Sequence, residues 1–183
     1  AEEVVNGEYR PFSGNKEFIK FAKPDAPYVH WSHYGDTLDG MDIKRVWEPA
    51  RFSWALDLAR AYLINSDERF IDPFWRQFEL FEDANPVNCG PNWASAQECA
   101  MRILTWGMVY PILQDSPAST DDLKHRFFTS IWQHAARIPP TLTYARSQNN
   151  NHLLSEALGL IAAGALFASQ SCRAAGWLDR KST

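Results

Sequence analysis

Residues 147–160 read SQNNNHLLSEALGL, a polar turn followed at once by an apolar run. The small or apolar residues Leu153, Ala157 and Gly164 recur at the spacing of one helix face. Asparagine is favoured just before a helix, where its side chain accepts a backbone N–H. The stretch therefore predicts a helix that begins near His152.

The same periodicity predicts four earlier helices. The first follows Pro49, and the second follows Asp67, with Pro73 delaying its start by a few residues. Asn92 is the expected cap of the third, and the fourth begins at Thr120 and ends before two prolines at 139–140. A sixth helix, after the one at residues 147–160, is expected near Arg173.

No alternating strand of useful length is found, so the predicted fold class is all-α. The number of helices favours an incomplete (α/α) toroid of antiparallel helix hairpins over a four-helix bundle. We expect an irregular N-terminal segment, residues 1–43, packed on a toroid domain of residues 44–183. That domain is expected to be cut before its natural end, because the last segment, SCRAAGWLDRKST, stops as another helix starts.

Composition limits the function classes. The chain has 183 residues, enough for one domain, and a formal net charge of −4, which argues against a nucleic-acid partner. Its apolar runs look too short and interrupted to span a bilayer, and no charged-then-apolar signal segment opens it. Aromatic residues make up 14% of the chain, which suits either a ring-rich core or a groove that stacks on sugars.

The three cysteines, Cys89, Cys99 and Cys172, have no metal-site spacing. A disulfide between Cys89 and Cys99 would form only in an oxidising compartment. The location of the protein therefore stays open on this count.

Three asparagines exceed what capping needs. A helix N-terminus offers free backbone N–H groups and partial positive charge to an anion, and side-chain amides add neutral donors. His152 lies in the same turn, and Glu156, four residues on, would orient its ring. Such a set suits proton abstraction beside a carboxylate, as in a uronic acid polymer, because neutralising the carboxylate stabilises the enolate-like species. Capping alone is the competing interpretation.

Two further stretches make the sequence recognisable. GMDIKRVWEPARF, residues 40–52, and GPNWASAQECAMRILTW, residues 90–106, precede NNNHLLSEALGL in the chain. Together they resemble the motifs Asp-x-Lys-x-x-Trp-Glu-x-x-Arg-Phe, Asn-Trp-x-x-x-x-Glu-x-x-x-Arg and Asn-His of the heparinase II/III-like polysaccharide lyases. The resemblance implies an α/α-toroid domain that precedes a β-sandwich domain.

The resemblance also implies roles for single residues. It makes Asn151 the carboxylate-neutralising group and His152 a catalytic participant beside it. Asn150 and Glu156, in the same stretch, are expected to contact the substrate. The family's acid–base tyrosine lies further downstream than this chain extends, and its second histidine comes from the β-sandwich domain. The chain is thus expected to hold half of a β-elimination site for an acidic polysaccharide and to be inactive alone. Relatives that degrade polymers generally act outside the cytoplasm, so a periplasmic or secreted protein is favoured.

Other motif residues have two interpretations each. Trp47, Glu48 and Arg51 are expected near the site in structural roles, with Glu48 and Arg51 as a buried pair. Asn92 is either a cap or a hydroxyl-binding group, and Trp93 either core or stacking platform. The remaining candidates are Arg146, as a solvated loop residue or an anion contact, and an i, i+4 pair of Glu98 with Arg102.

Three alternatives remain. An inverting glycoside hydrolase would need two carboxylates across a cleft, for which the candidates are Asp36, Asp42, Glu48 and Glu98. A metal site at His152–Glu156 or at His30–His33 lacks a third ligand nearby in sequence. The chain is otherwise a non-catalytic glycan-binding or structural helical module. We expect no cofactor, no metal and no membrane partner.

Overall fold

A computed structural model describes residues 1–21 and 29–181, with side chains up to residue 171. The helices are α1 Glu2–Val5, α2 Lys44–Ala50, α3 Ala55–Asn65, α4 Asp72–Ala84, α5 Ala96–Leu113, α6 Asp121–Arg137, α7 Leu142–Ser147 and α8 His152–Lys181. The strands are β1 Glu8–Tyr9, β2 Glu17–Phe18, β3 Thr37–Leu38 and β4 Met41–Asp42. The all-α prediction is confirmed for this part of the chain.

The N-terminal segment carries two small antiparallel ladders, β1 with β2 and β3 with β4. Val4, Tyr9 and Ile19 are buried in the same core as the helices. The ring of Phe21 stacks on Phe52, with centroids 5.6 Å apart. The segment is therefore held on the helical body by apolar contacts.

The helix predicted to start at Pro49 is α3 and starts later, at Ala55, because Pro49 lies near the end of a separate helix, α2. Between them Phe52 takes a left-handed backbone conformation with φ of 59°, which a bulky residue rarely adopts. Its side chain is fully buried and contacts the rings of Trp54 and Trp106. Burial of this ring stabilises a turn that helical periodicity alone does not predict.

Other predicted helix ends agree with the structure. Pro73 occupies the first turn of α4, which begins at Asp72. Thr120 caps α6 by accepting a bond from the backbone N–H of Leu123 at 3.3 Å, and α6 ends before the proline pair. In contrast, α5 starts after Ser95, and Asn92 lies upstream in a 3-10 turn, so the prediction that Asn92 caps this helix is wrong.

Contacts between helices give their relative directions. Helix α6 runs antiparallel to α5, since Phe127 stacks on Tyr110 and His134 meets Arg102. Helices α5 and α8 run parallel, as the pairs Ala100–Gly159, Gly107–Leu166 and Tyr110–Gln170 show. Helix α4 runs parallel to α6, with Phe74 against Phe127 and Phe81 against His134. These directions are compatible with the incomplete toroid expected from sequence, and that arrangement stays a prediction.

Helix α8 is longer than predicted and runs unbroken to Lys181, so the separate sixth helix near Arg173 is wrong. By length and composition its segment His152–Ser171 would suffice to cross a membrane, with a mean hydropathy of 1.5. This corrects the expectation that every apolar run is too short. One such helix is weak support for a membrane span, because core helices of globular proteins meet the same criteria. Here the segment contacts α5, and only 22% of it is buried.

Candidate functional site

A cleft of about 520 Å³ lies where the N-terminal segment meets the starts of α5 and α8. One wall comes from the loop around Trp31, Tyr34 and Asp36, and the facing wall from Tyr144, His152 and Glu156. Trp47 and residues 94–96 close one side, and Arg137 contributes from the end of α6. The cleft thus collects residues from four separate regions of the sequence.

The three asparagines have three different roles. Asn149 has a left-handed backbone with φ of 48°, a conformation that asparagine tolerates. The Asn150 Oδ1 accepts the backbone N–H of His152 at 2.9 Å, and the Asn151 carbonyl accepts the N–H of Ser155 at 3.0 Å. Asn150 therefore performs the capping, which leaves the exposed side-chain amide of Asn151 without a hydrogen bond in the described part of the chain.

His152 and Glu156 both line the cleft, one turn of α8 apart. His152 is half-buried, whereas Glu156 is only 2% exposed. No hydrogen bond or ion pair joins the two side chains in the region the structure describes, so the expectation that Glu156 orients the His152 ring is not met. Burial raises the pKa of the Glu156 carboxyl, and Arg137 opposes that shift.

Arg137 supplies a fixed cation. Its Nε donates to the Trp93 carbonyl at 3.1 Å, and its Nη2 donates to the Ala94 carbonyl at 3.0 Å. The guanidinium lies over the Trp31 ring, 3.5 Å from the ring centre. The side chain is 3% exposed, and burial lowers the pKa of the guanidinium. Arg137 thereby attaches the N-terminal loop to the helical body at the cleft.

The Trp-Glu-x-x-Arg motif packs beside the cleft, and its Trp47 is part of the lining. The Trp47 indole N–H donates to the Pro91 carbonyl at 2.9 Å. Arg51 forms a two-pronged ion pair with Glu98, at 2.7 and 2.6 Å, and also contacts Glu48 at 3.0 Å. The Glu48–Arg51 pair is thus present, with Glu98 as its third member.

The Asn-Trp motif lies in the core. The Asn92 amide donates to Asn85 Oδ1 at 2.8 Å, and the Trp93 indole N–H donates to the Asn85 carbonyl at 3.3 Å. Both side chains are buried. This burial favours a packing role for Asn92 and Trp93 over contact with a substrate.

Other predicted pairs also differ. Glu98 binds Arg51 rather than Arg102, whose Nε donates to His134 Nε2 at 2.9 Å. Arg146 is exposed and is not among the residues that line the cleft. Cys89 and Cys99 are both free thiols. Within residues 1–21 and 29–171, no group of three His, Cys, Asp or Glu side chains is placed to hold a metal ion.

Sequence reasoning missed Arg137, Trp31, Tyr34 and Tyr144. An arginine in the last turn of a helix usually complements the helix dipole, so Arg137 gave no functional signal. The aromatic residues of the loop VHWSHYGDT, residues 29–37, did give a signal that could have been used. Aromatic rings in an ordered loop are expected to pack against another part of the protein. Trp31 and Tyr34 of this loop line the cleft.

The comparison with protein families gives one match. A family model described as the heparinase II/III N-terminus matches residues 3–180. The searches of curated proteins and of solved structures returned no match. The family match spans nearly the whole chain and all three motifs, and the chain therefore belongs to the heparinase II/III N-terminal domain family.

Proposed function

We propose that this chain supplies the carboxylate-binding half of a polysaccharide lyase site that cleaves uronic-acid-containing polymers by β-elimination. The observation that carries the proposal is the cleft itself, with His152 in its wall at the N-terminal end of α8. Asn151, which precedes His152 in the chain, has a free and exposed amide, although it is not among the residues that line the cleft. Helix N-termini and neutral amide donors both favour a bound carboxylate.

The reaction divides the work between groups. A base removes the C5 proton of the uronate, the electron pair forms the C4–C5 double bond, and the C4–oxygen bond breaks. An acid then protonates the leaving oxygen. Asn151 hydrogen-bonds the uronate carboxylate as charge moves onto it, and His152 acts beside it. The acid–base tyrosine and a second histidine are assigned to parts of the intact protein outside this chain, so the isolated chain is expected to be inactive.

The test is Asn151→Ala in the intact protein. Loss of one preorganised donor is expected to lower kcat on a uronic acid polymer about 100-fold or more, followed by the ultraviolet absorbance of the unsaturated product. Gln148→Ala, which removes an exposed amide from the same turn, is the control and should retain the rate. An unchanged rate in Asn151→Ala would remove Asn151 from the mechanism.

A hydrolase is the second candidate, because two carboxylates, Asp36 and Glu156, line the cleft. Two other carboxylates considered from sequence, Glu48 and Glu98, are bound by Arg51. New reducing ends without ultraviolet absorbance would favour hydrolysis. Oligosaccharide binding without either product would favour a non-catalytic glycan-binding module.

The proposed partner is an acidic polysaccharide, together with a C-terminal β-sandwich domain. Degradation of polymers also favours a periplasmic or secreted location, which fractionation of the producing cells would test. Signal only in the cytoplasmic fraction would contradict that location.

A further inference from the structure

Glu156 has no partner where one is expected. It is 2% exposed, and its Oε2 is buried without a hydrogen bond in the part of the chain that the structure describes. Buried carboxylates are normally paired or hydrogen-bonded, because an unsatisfied one is costly. Glu156 nevertheless lines the cleft, so the missing partner can come from there.

Arg137 lines the same cleft and is the nearby charge that opposes the effect of burial on Glu156. The two side chains form no direct ion pair in the described structure. The guanidinium is held instead by Trp93, Ala94 and Thr141, through one bond from each nitrogen. Each terminal nitrogen has two hydrogens and makes one bond, so Arg137 retains donors beyond those it uses.

We propose that Glu156 and Arg137 form a hydroxyl-binding subsite in the cleft, with the face of Trp31 that Arg137 does not cover as the adjacent platform for a sugar ring. A sugar hydroxyl accepts a hydrogen bond from the guanidinium and donates one to the carboxylate, so a single oxygen satisfies both groups. Trp31 lines the cleft while Arg137 stacks on its ring. The subsite deepens the proposed function and rests on its assignment of a glycan to this cleft.

The subsite separates two tasks within one cleft. Asn151 is assigned to the uronate carboxylate, whereas a hydroxyl occurs on neutral and acidic sugars alike. Binding at Glu156 is thus expected to be independent of the uronate charge. Net charge alone would have the opposite effect, because removing a carboxylate from a cleft should strengthen the binding of a polyanion.

The experiment measures Kd in the intact protein for heparosan and alginate tetrasaccharides and for their carboxyl-reduced forms. Glu156→Met is expected to weaken binding of the native and reduced forms of a bound sugar about tenfold or more, with Glu156→Gln between it and the wild type. Asp39→Asn removes an exposed carboxylate from the neighbouring loop, outside the cleft lining, and controls for net charge; it should bind the acidic sugars as tightly or more tightly. Equal weakening by Glu156→Gln and Asp39→Asn would overturn the subsite.

Thermal unfolding without sugar provides a second measurement. If the Glu156 carboxylate is unpaired until sugar binds, it does not stabilise the free protein. Glu156→Met should then have the same Tm as the wild type or a higher one. A markedly lower Tm would show that Glu156 has a structural partner and would overturn the proposal.

The two proposals fail separately. If Asn151→Ala weakens only the acidic sugars and Glu156→Met weakens none, the subsite is wrong and the carboxylate site stands. If Glu156→Met weakens native and reduced sugars while Asn151→Ala neither weakens binding nor lowers kcat, the lyase assignment is wrong and the subsite stands. Wild-type protein that binds none of the probes contradicts both.

Discussion

At the scale of single residues, buried charge determines which side chains support the site. Glu98 is 2% exposed and has Arg51 as its two-pronged partner, while Glu48 adds a second carboxylate to the same guanidinium. Arg51 lies in the turn between α2 and α3, and Glu98 is in the first turn of α5. The ion pair therefore connects the motif that follows the N-terminal segment to the central helix.

Removal of Arg51 should be costly. Arg51→Met leaves the Glu98 carboxylate buried without its partner, so we expect a loss of about 3 kcal/mol in the free energy of unfolding. Urea denaturation measures the change. Arg60→Met is the matched control, because the Arg60 side chain is 77% exposed beside Asp57 and should contribute less than about 1 kcal/mol. Equal losses in the two variants would contradict a special role for the Arg51–Glu98 pair.

At the scale of elements, the position of the cleft depends on how closely α8 approaches α5. At Gly159 an added Cβ would lie 2.7 Å from the Ala100 Cβ and 2.8 Å from the Ala100 Cα. Only glycine permits this crossing without a shift of one helix. The same helix carries His152 and Glu156, so the crossing sets where they lie relative to α5.

Gly159→Ala should destabilise the protein. Alanine is a better helix former than glycine by about 1 kcal/mol, but the added methyl group must displace α5 backbone, so we expect a net loss of about 1–2 kcal/mol. Gly164→Ala on the same helix has nothing within 4 Å of the added Cβ and should be neutral or stabilising. Urea denaturation of the two variants tests the contrast, and a stabilised Gly159→Ala protein would show that the crossing is looser than it looks.

At the scale of the whole molecule, one buried histidine connects α6 to α5. His134 of α6 accepts a hydrogen bond from Arg102 of α5 and donates its Nδ1–H to the Ser130 carbonyl at 2.8 Å. Its ring also lies 4.4 Å from that of Trp93. Burial, together with the charge of Arg102, holds the pKa of His134 well below its ordinary value.

This shift makes stability depend on pH with a definite sign. The unfolded chain protonates this histidine near pH 6.5 while the folded protein keeps it neutral, so the unfolded state binds more protons below that pH. The free energy of unfolding should therefore fall as pH decreases from about 7.5 to 5.5, by at most about 1.4 kcal/mol per pH unit from this group. The contribution is fully present above the unfolded pKa and is lost towards the folded pKa.

Comparison of variants isolates the effect. His134→Gln cannot be protonated, and its free energy of unfolding should fall less than that of the wild type between pH 7.5 and 5.5. Because Glu82 and Glu156 are unchanged, their own titrations largely cancel from the difference. His125→Gln, on the exposed face of the same helix, should retain the wild-type slope. Parallel slopes for wild type and His134→Gln would contradict the prediction.

The sequence by itself determined the fold class, some of the helix starts and the family. The start of α8, the cap of α6 and the all-α class follow from local preferences, which act between residues a few positions apart. Three motifs in order identified the heparinase II/III N-terminal domain, which the family match confirms. The Glu48–Arg51 pair was also accessible, because its members lie three residues apart.

Only the tertiary structure decided which of these residues share a surface. It buried Asn92 and Trp93, gave Glu98 to Arg51 instead of Arg102, and brought Arg137 beneath Trp31, more than 100 positions away. Helical spacing places a residue on a face of its own helix and says nothing of which other helix covers that face. Burial and long-range pairing arise when helices pack, so the cleft and its unpaired Glu156 could be found only in the folded chain.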